Sequence, residues 1–341
     1  MLIPFLELAC RGLYWNRVSG WLDNPSYIDI AHILRFGGTP MGPHFWGYPA
    51  VIALAEAVFS TSGLASLVVV SFVSSALASI LIFRLYGPIV TVMFLALSPE
   101  WVRLSIVGGS EPLFLLLLLG SWLEFRSDRF YIAVVLASLA TTVRPVGAIA
   151  VCAFALTFLL RCDWRRFAVS ITIPVGIGLA YLGWLRAVCG DAFINFRRYS
   201  ASDWPSGNPF SIPFVAWVKG LIRMSQIDPW TRLAQPMICI VILGFGVFAL
   251  LRHARDYAEE YPSELIFVAG YLCFFICYGY QDVAWFLTRF MIPVYPFLLF
   301  AARDWLPKNR VVVWILVLGS SLIASADLVG FNAAFGFALH R

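Results

Sequence analysis

The sequence predicts an all-α membrane protein, a polytopic transmembrane helical bundle, on three observations. Hydrophobic residues make up 61% of the 341-residue chain and charged residues only 13%, well short of the ~25% charged that a water-soluble domain carries. That leaves too little polar side chain to cover a soluble surface. The apolar residues fall in long runs rather than in alternating strand patterns, which favours helices, whose backbone bonds close internally in hydrocarbon, over a barrel. Basic residues concentrate in short connectors between the runs, the mark of cytoplasmic loops. Counting runs gives about 10 to 11 membrane segments against a full span of ~20 residues. They form a single transmembrane domain over residues 1–341, with outer loops 15–49, 98–111 and 190–232 as the candidate active-site face.

Taken in order, residues 1–15 are apolar but too short for a full span, and with no basic leader or small-residue cleavage site the first span is expected to act as the signal. Residues 21–49 form the first polar stretch, centred on Asp23 and closing in the aromatic cluster Phe45, Trp46 and Tyr48. It is too polar to cross lipid and aromatic enough to lie at the interface. Residues 50–59 continue as an apolar segment, 64–86 read as a clear span, and Gly87-Pro88 turns the chain. Residues 89–97 are a short span ending at SPEW; the following WVRLSIVGGSEP is polar enough to sit outside the hydrocarbon, and 113–125 returns.

Between the basic connectors 126–129 and 161–166 lie about 30 apolar residues interrupted by TTVRP. If both connectors are cytoplasmic, this stretch runs out and back as two short helices with Arg144 at the outer turn. Residues 167–188 form the next span and deliver the long loop 190–232, rich in Trp, Pro, Asp and Arg. Four further segments alternate between the connectors at Arg252, His253 and Arg255, the outer Gln281 and Asp282, and the connector Arg303, Lys308 and Arg310. The parity closes, and it places Asp23, Glu111, Arg144, Asp203, Asp282 and Arg289 on one outer side. Total Lys and Arg are nearly balanced between the two sides, so this orientation rests on short-loop density. The seven cysteines, Cys10, Cys152, Cys162, Cys189, Cys239, Cys273 and Cys277, fall mostly in apolar runs without a CxxC pair and read as small core residues.

Each candidate site residue carries a bland reading beside the chemical one. Asp23, heading DNPSY, is either a general base for a hydroxyl at a water-accessible face or an ordinary helix N-cap with proline in the first turn. Glu111 in SEPLF opens a helix whose dipole welcomes an acid. Arg144 in VRP must find a partner: a phosphate, through paired charge-assisted bonds, or a carboxylate such as Glu111. Arg289 in TRFMIPVYP is either functional or a snorkelling cation. The outer cations Arg35, Arg103, Arg144, Arg197, Arg198 and Arg289 suggest an anion site. The loop holding Arg197, Arg198, Tyr199, Asp203 and Trp204 is otherwise an interfacial lid. His32 and His44 lack the compact spacing of metal ligands with Asp23 or Asp29, so no metal or other cofactor is expected.

The ordered set of Asp23 with Tyr27, GYP at 47–49, LSPEW, SEPLF, TTVRPVG, GDAFINF and TRFMIPVYP resembles the GT-C superfamily of polytopic glycosyltransferases, in particular the PIG-V-like mannosyltransferase branch. Each piece is short, and the specificity lies in their order and common sidedness over most of the chain. The resemblance implies a GT-C-like topology and an inverting hexosyltransferase on the non-cytoplasmic face. Such an enzyme moves a sugar, mannose among the candidates, from a polyprenyl phosphate to a lipid, glycan or protein hydroxyl. It implies Asp23 as the base, and Arg144, Arg289, Glu111, Tyr27, Arg197 and Arg198 around the donor phosphate. Trp46, Trp101, Trp204 and Asp282 would be sugar or acceptor contacts. Relatives commonly carry a longer helix before the Asp loop and a C-terminal soluble domain, and neither is evident here. The partners expected are the bilayer, the lipid-linked donor and the acceptor, not a nucleic acid. A transporter or lipid flippase would instead place ionisable groups near the midplane, often with repeat symmetry. In a non-catalytic membrane subunit, Asp23 and Glu111 would only cap helices.

Overall fold

A computed structural model describes residues 18–20, 23–38, 44–202, 210–227, 231–280, 283–284 and 286–328; within these, the side chains of 199–202, 227, 231–235 and 323–328 are not described. Among the described residues the chain is helical, with no strand beyond one isolated bridge between Phe210 and Tyr278.

Among the described residues two helices are long and apolar enough to cross a bilayer: α3 (Gly63–Tyr86) and α9 (Trp164–Cys189). Two bent pairs, Pro88–Leu97 with Pro99–Val107 at 79° and Pro236–Arg252 with Ala254–Glu260 at 74°, bring the number to four when each pair is one span. Shorter apolar helices of 10–17 residues fill the rest of the bundle. The coarse expectation, an all-helical chain with membrane helices, is therefore what the structure carries, with two to four candidate spans.

Before α3 come α1 (Asn24–Phe36) and α2 (Gly47–Phe59). The outer loop expected at 15–49 is thus largely helix, because DNPSY starts a helix and the apolar side of α1, with Tyr27, Ile30 and Ile33, is buried. Gly47 opens α2 where it touches the Thr142 backbone; a Cβ there would lie 2.7 Å from its carbonyl carbon.

Gly87 ends α3 at φ +85°, and α4 (Pro88–Leu97) and α5 (Pro99–Val107) follow. Pro99 holds Ser98 near φ −122°, ψ 69°, which bends the chain between them. The expected outer loop 98–111 is a correction of the same kind: α5 buries Glu100, Trp101, Leu104 and Val107. Gly108 ends it at φ +98°, with the Leu67 side chain in the space a Cβ would need. The Asn24 amide then donates to the carbonyls of Val107 and Val18 at 2.9 Å each, pinning the start of α1 to the end of α5.

The helices α6 (Glu111–Arg126) and α7 (Phe130–Val143) pack as an antiparallel pair, and a short 3-10 turn (Pro145–Gly147) leads into α8 (Ala148–Leu160). This is the expected out-and-back path, with Arg144 at its turn. At the other end the two basic connectors meet, Arg166 bonding Asp128 at 3.2 Å. Between them Trp122 packs on Phe154, Phe267 and Phe297 with centroids 4.9–5.2 Å apart.

The expected long loop 190–232 also contains two helices, α10 (Ile194–Ser202) and α11 (Val215–Ile227). The chain then continues through α12 (Thr231–Arg252), α13 (Ala254–Glu260), α14 (Pro262–Cys277), α15 (Leu287–Met291), α16 (Tyr295–Ala301) and α17 (Arg310–Leu328). The cysteines correct another expectation. Of those described, Cys239 alone is buried; Cys152 and Cys273 are exposed on the outward sides of α8 and α14, and Cys162 is exposed in the turn between α8 and α9.

Candidate functional site

Five chain segments converge on one charged cluster. Arg289, on α15, donates from Nη2 to Asp23 Oδ2 at 2.8 Å and from Nε to Glu111 Oε1. Arg144 donates from Nη1 to the same Glu111 oxygen. His44 Nε2 stands 3.5 Å from the other Asp23 oxygen, Oδ1. Pro145 explains the aim of Arg144: the residue before a proline is pushed to extended backbone, here φ −143°, ψ 127°, so the helix stops and the guanidinium leaves the axis.

Asp23 does sit at an N-cap and Glu111 in a first helical turn, as the bland readings have it, but neither Asp23 nor Ser110 makes a side-chain cap bond. Asp23 turns instead toward Arg289 and His44. The salt bridge from Arg144 to Glu111, the plain alternative to phosphate binding, is present.

Exposure grades across the cluster. Glu111 is 1% exposed, Arg289 9%, Arg144 19% and Asp23 28%, so Asp23 is the member that solvent or a hydroxyl reaches. Burial pushes the Asp23 carboxyl up, but the charges of Arg289, His44 and Arg144 and the Arg289 hydrogen bond outweigh it and hold it below its ordinary value of 3.8. Asp23 is therefore ionised at neutral pH. Both guanidiniums serve Glu111 Oε1, while its Oε2 is buried without a hydrogen-bond partner among the described residues. These bonds use one donor nitrogen of Arg144 and two of Arg289, and a guanidinium carries five N–H bonds.

A polar layer fixes these groups. Tyr27 donates to the Ser110 hydroxyl at 3.1 Å and lies 4.8 Å from the His44 ring and edge-on to Tyr48 at 5.0 Å. The Tyr48 and Ser71 hydroxyls bond at 2.6 Å and surround the Gly109 amide. Tyr27 is buried and holds Ser110, the residue before Glu111, so its place is in positioning rather than at an open surface.

Other expected site residues lie elsewhere. Trp46 and Trp101 are fully buried, packed against Trp184 and Phe94, and offer no open face to a sugar. Large rings in short helices gain more from burial than from the interface. Arg197 bonds Asp191 at 2.7 Å, and Arg198 shares its helix; among the described residues neither pairs with Asp23 or Glu111. Arg35 and Arg103 are held by Glu56 and Glu100, so the expected six-cation anion site contracts to Arg144 and Arg289. Trp204, Asp282, Asp203 and Gln281 lie outside the described residues. Among the described residues no group of three His, Cys, Asp or Glu side chains is placed to hold a metal ion.

His44 is the member that sequence reasoning weighed only as a metal ligand. Its 21-residue separation from Asp23 carries no periodic signal. No family model, curated protein or solved structure matches the chain.

Proposed function

We propose that the chain is an integral membrane glycosyltransferase that moves a sugar from a polyprenyl phosphate to a hydroxyl acceptor. One observation carries the reading: an ionised, partly exposed carboxylate, Asp23, stands in direct contact with a guanidinium that a buried Glu111 couples to a second. A base and an anion-binding pair beside one another match what displacement of a phosphate leaving group needs. Asp23 takes the proton of the acceptor hydroxyl as its oxygen bonds the anomeric carbon. The bond from that carbon to the phosphate oxygen breaks, and the charge released on the phosphate meets Arg144 and Arg289. Attack opposite the leaving group inverts the anomeric centre. The finer expectations of 10 to 11 segments, a GT-C-like topology and a non-cytoplasmic site belong to this proposal. A lipid-borne donor suits that address, where sugar nucleotides are absent.

A second reading is favoured by the ion pairs that join Asp23, Arg289, Glu111 and Arg144 to one another: the four charges lock helix ends together and do no chemistry. The two separate on one experiment. Asp23→Asn, folded and expressed as wild type, is assayed with radiolabelled polyprenyl phosphate mannose and a short-chain lipid acceptor. The enzyme reading expects a loss of about 10²–10⁴-fold; transfer at the wild-type rate removes Asp23 from the mechanism.

A further inference from the structure

The helices α6 and α7 carry the Asp23 cluster at one end and a second polar site at the other. With α6 rising about 24 Å over its length, the two are separated by most of a hydrocarbon thickness. There the connector after α6 and the connector before α9 enclose a cavity of about 560 Å³. Arg129, Arg165 and Arg166 line it, together with Asp128 and Asp163. The acids are largely spent on one cation, since Arg166 bonds Asp128 at 3.2 Å and Asp163 at 3.5 Å. Arg129 is held by Glu124 at 2.6 Å, and Arg165 has no ion-pair partner among the described residues.

The surroundings are apolar and open. Trp164 is 64% exposed, Tyr131 54% and Ile132 48%, and α9, which begins at Trp164, is a candidate span with only 11% of its apolar window buried. Rings at the first turn of such a helix mark the depth of the headgroups. The N-terminus of α7 also faces the cavity without a side-chain cap, adding its N–H groups to the positive side.

We propose that this cavity binds the phosphate of an anionic glycerophospholipid, with Arg165 and Arg129 on the headgroup and the acyl chains along Ile132, Tyr131 and Trp164. The one lining arginine left without an acid among the described residues, Arg165, selects an anion, and the adjoining exposed apolar surface selects one that carries a lipid. The inference does not depend on the sugar-transfer reading.

The test uses the full chain in nanodiscs of equal phosphatidylcholine and phosphatidylglycerol, with retained lipid counted by native mass spectrometry. Wild type is expected to retain phosphatidylglycerol in preference. Arg165→Gln should lower that preference about fivefold, and Arg161→Gln, in the same connector but off the cavity lining, should leave it in place. Retention at the bulk ratio by wild type overturns the proposal, and that measurement stands even if a variant does not fold. An equal drop in Arg161→Gln overturns it in favour of diffuse surface attraction. Displacement of the lipid by millimolar inorganic phosphate overturns it in favour of a free-anion site.

Discussion

Arg289 and Asp23, 266 residues apart in the chain, meet at 2.8 Å, and the same guanidinium reaches the buried Glu111 with its Nε. The late segment TRFMIPVYP is thereby tied to the first polar stretch and to the start of α6. Loss of either carboxylate or either cation changes the balance for the other members, because Arg289 joins the two carboxylates and shares one Glu111 oxygen with Arg144.

Arg289→Ala leaves Glu111 buried with one cation in place of two. Breaking a buried ion pair from one side costs about 3–5 kcal/mol, and the unfolding midpoint in detergent should fall accordingly. Arg289→Lys should recover part of it, since an ammonium restores the charge without the forked geometry. A midpoint unmoved by Arg289→Ala would show that the pair contributes nothing to the fold.

Asp23 sets a pH dependence of known sign. Its folded pKa lies below 3.8, so it contributes stability that is complete well above 3.8 and lost as the pH falls through the lower folded value. The difference in melting midpoint between wild type and Asp23→Asn should be constant from neutral pH down toward 5 and close on further acidification. A difference that grows as the pH falls would contradict the depressed carboxyl.

Gly47→Ala should destabilise by about 1–3 kcal/mol, the cost of overpacking, because the new methyl would meet the Thr142 backbone, which cannot swing away as a side chain can. Gly108→Ala should cost more, with a Cβ driven into Leu67 and a backbone at φ +98°. Thermal unfolding of the two variants checks both size and order.

His44→Gln tests a positioning role. Under the sugar-transfer reading, loss of the imidazole beside Asp23 Oδ1 should lower kcat on the order of 10²-fold with donor KM little changed. A larger change in KM than in kcat would place His44 in donor binding instead.

Short local rules made much of the bundle legible. Gly87-Pro88 turns the chain where it was expected to, and the run 130–160 folds out and back around Arg144 because a proline follows the arginine and basic connectors flank the run. The candidate cluster was partly legible for the same reason: Asp23, Glu111 and Arg144 stand at helix ends, and proline and capping patterns mark helix ends. The aromatics misled. Trp46 and Trp101 occupy polar-containing stretches that suggest an interface, yet Trp46 is buried against Ile30, Trp184, Leu185 and Ile194, and Trp101 against Phe94. Whether a tryptophan faces solvent or a neighbouring helix depends on what packs against it, and no spacing within the stretch records that.

The sequence alone determined the helical character, the presence of apolar helices that could span a membrane, the turns at Gly87-Pro88 and Arg144, and the charged residues that would have to gather to make a site. Each of these follows from composition or from neighbours a few positions away. Only the tertiary structure decided that α15 delivers Arg289 to Asp23, that Arg144 and Arg289 share one Glu111 oxygen, that His44 completes the set, and that Arg35 is paired with Glu56. Arg289 is 266 residues from Asp23 and 178 from Glu111, and contacts of a few ångströms across such separations come from helix packing rather than from local pattern.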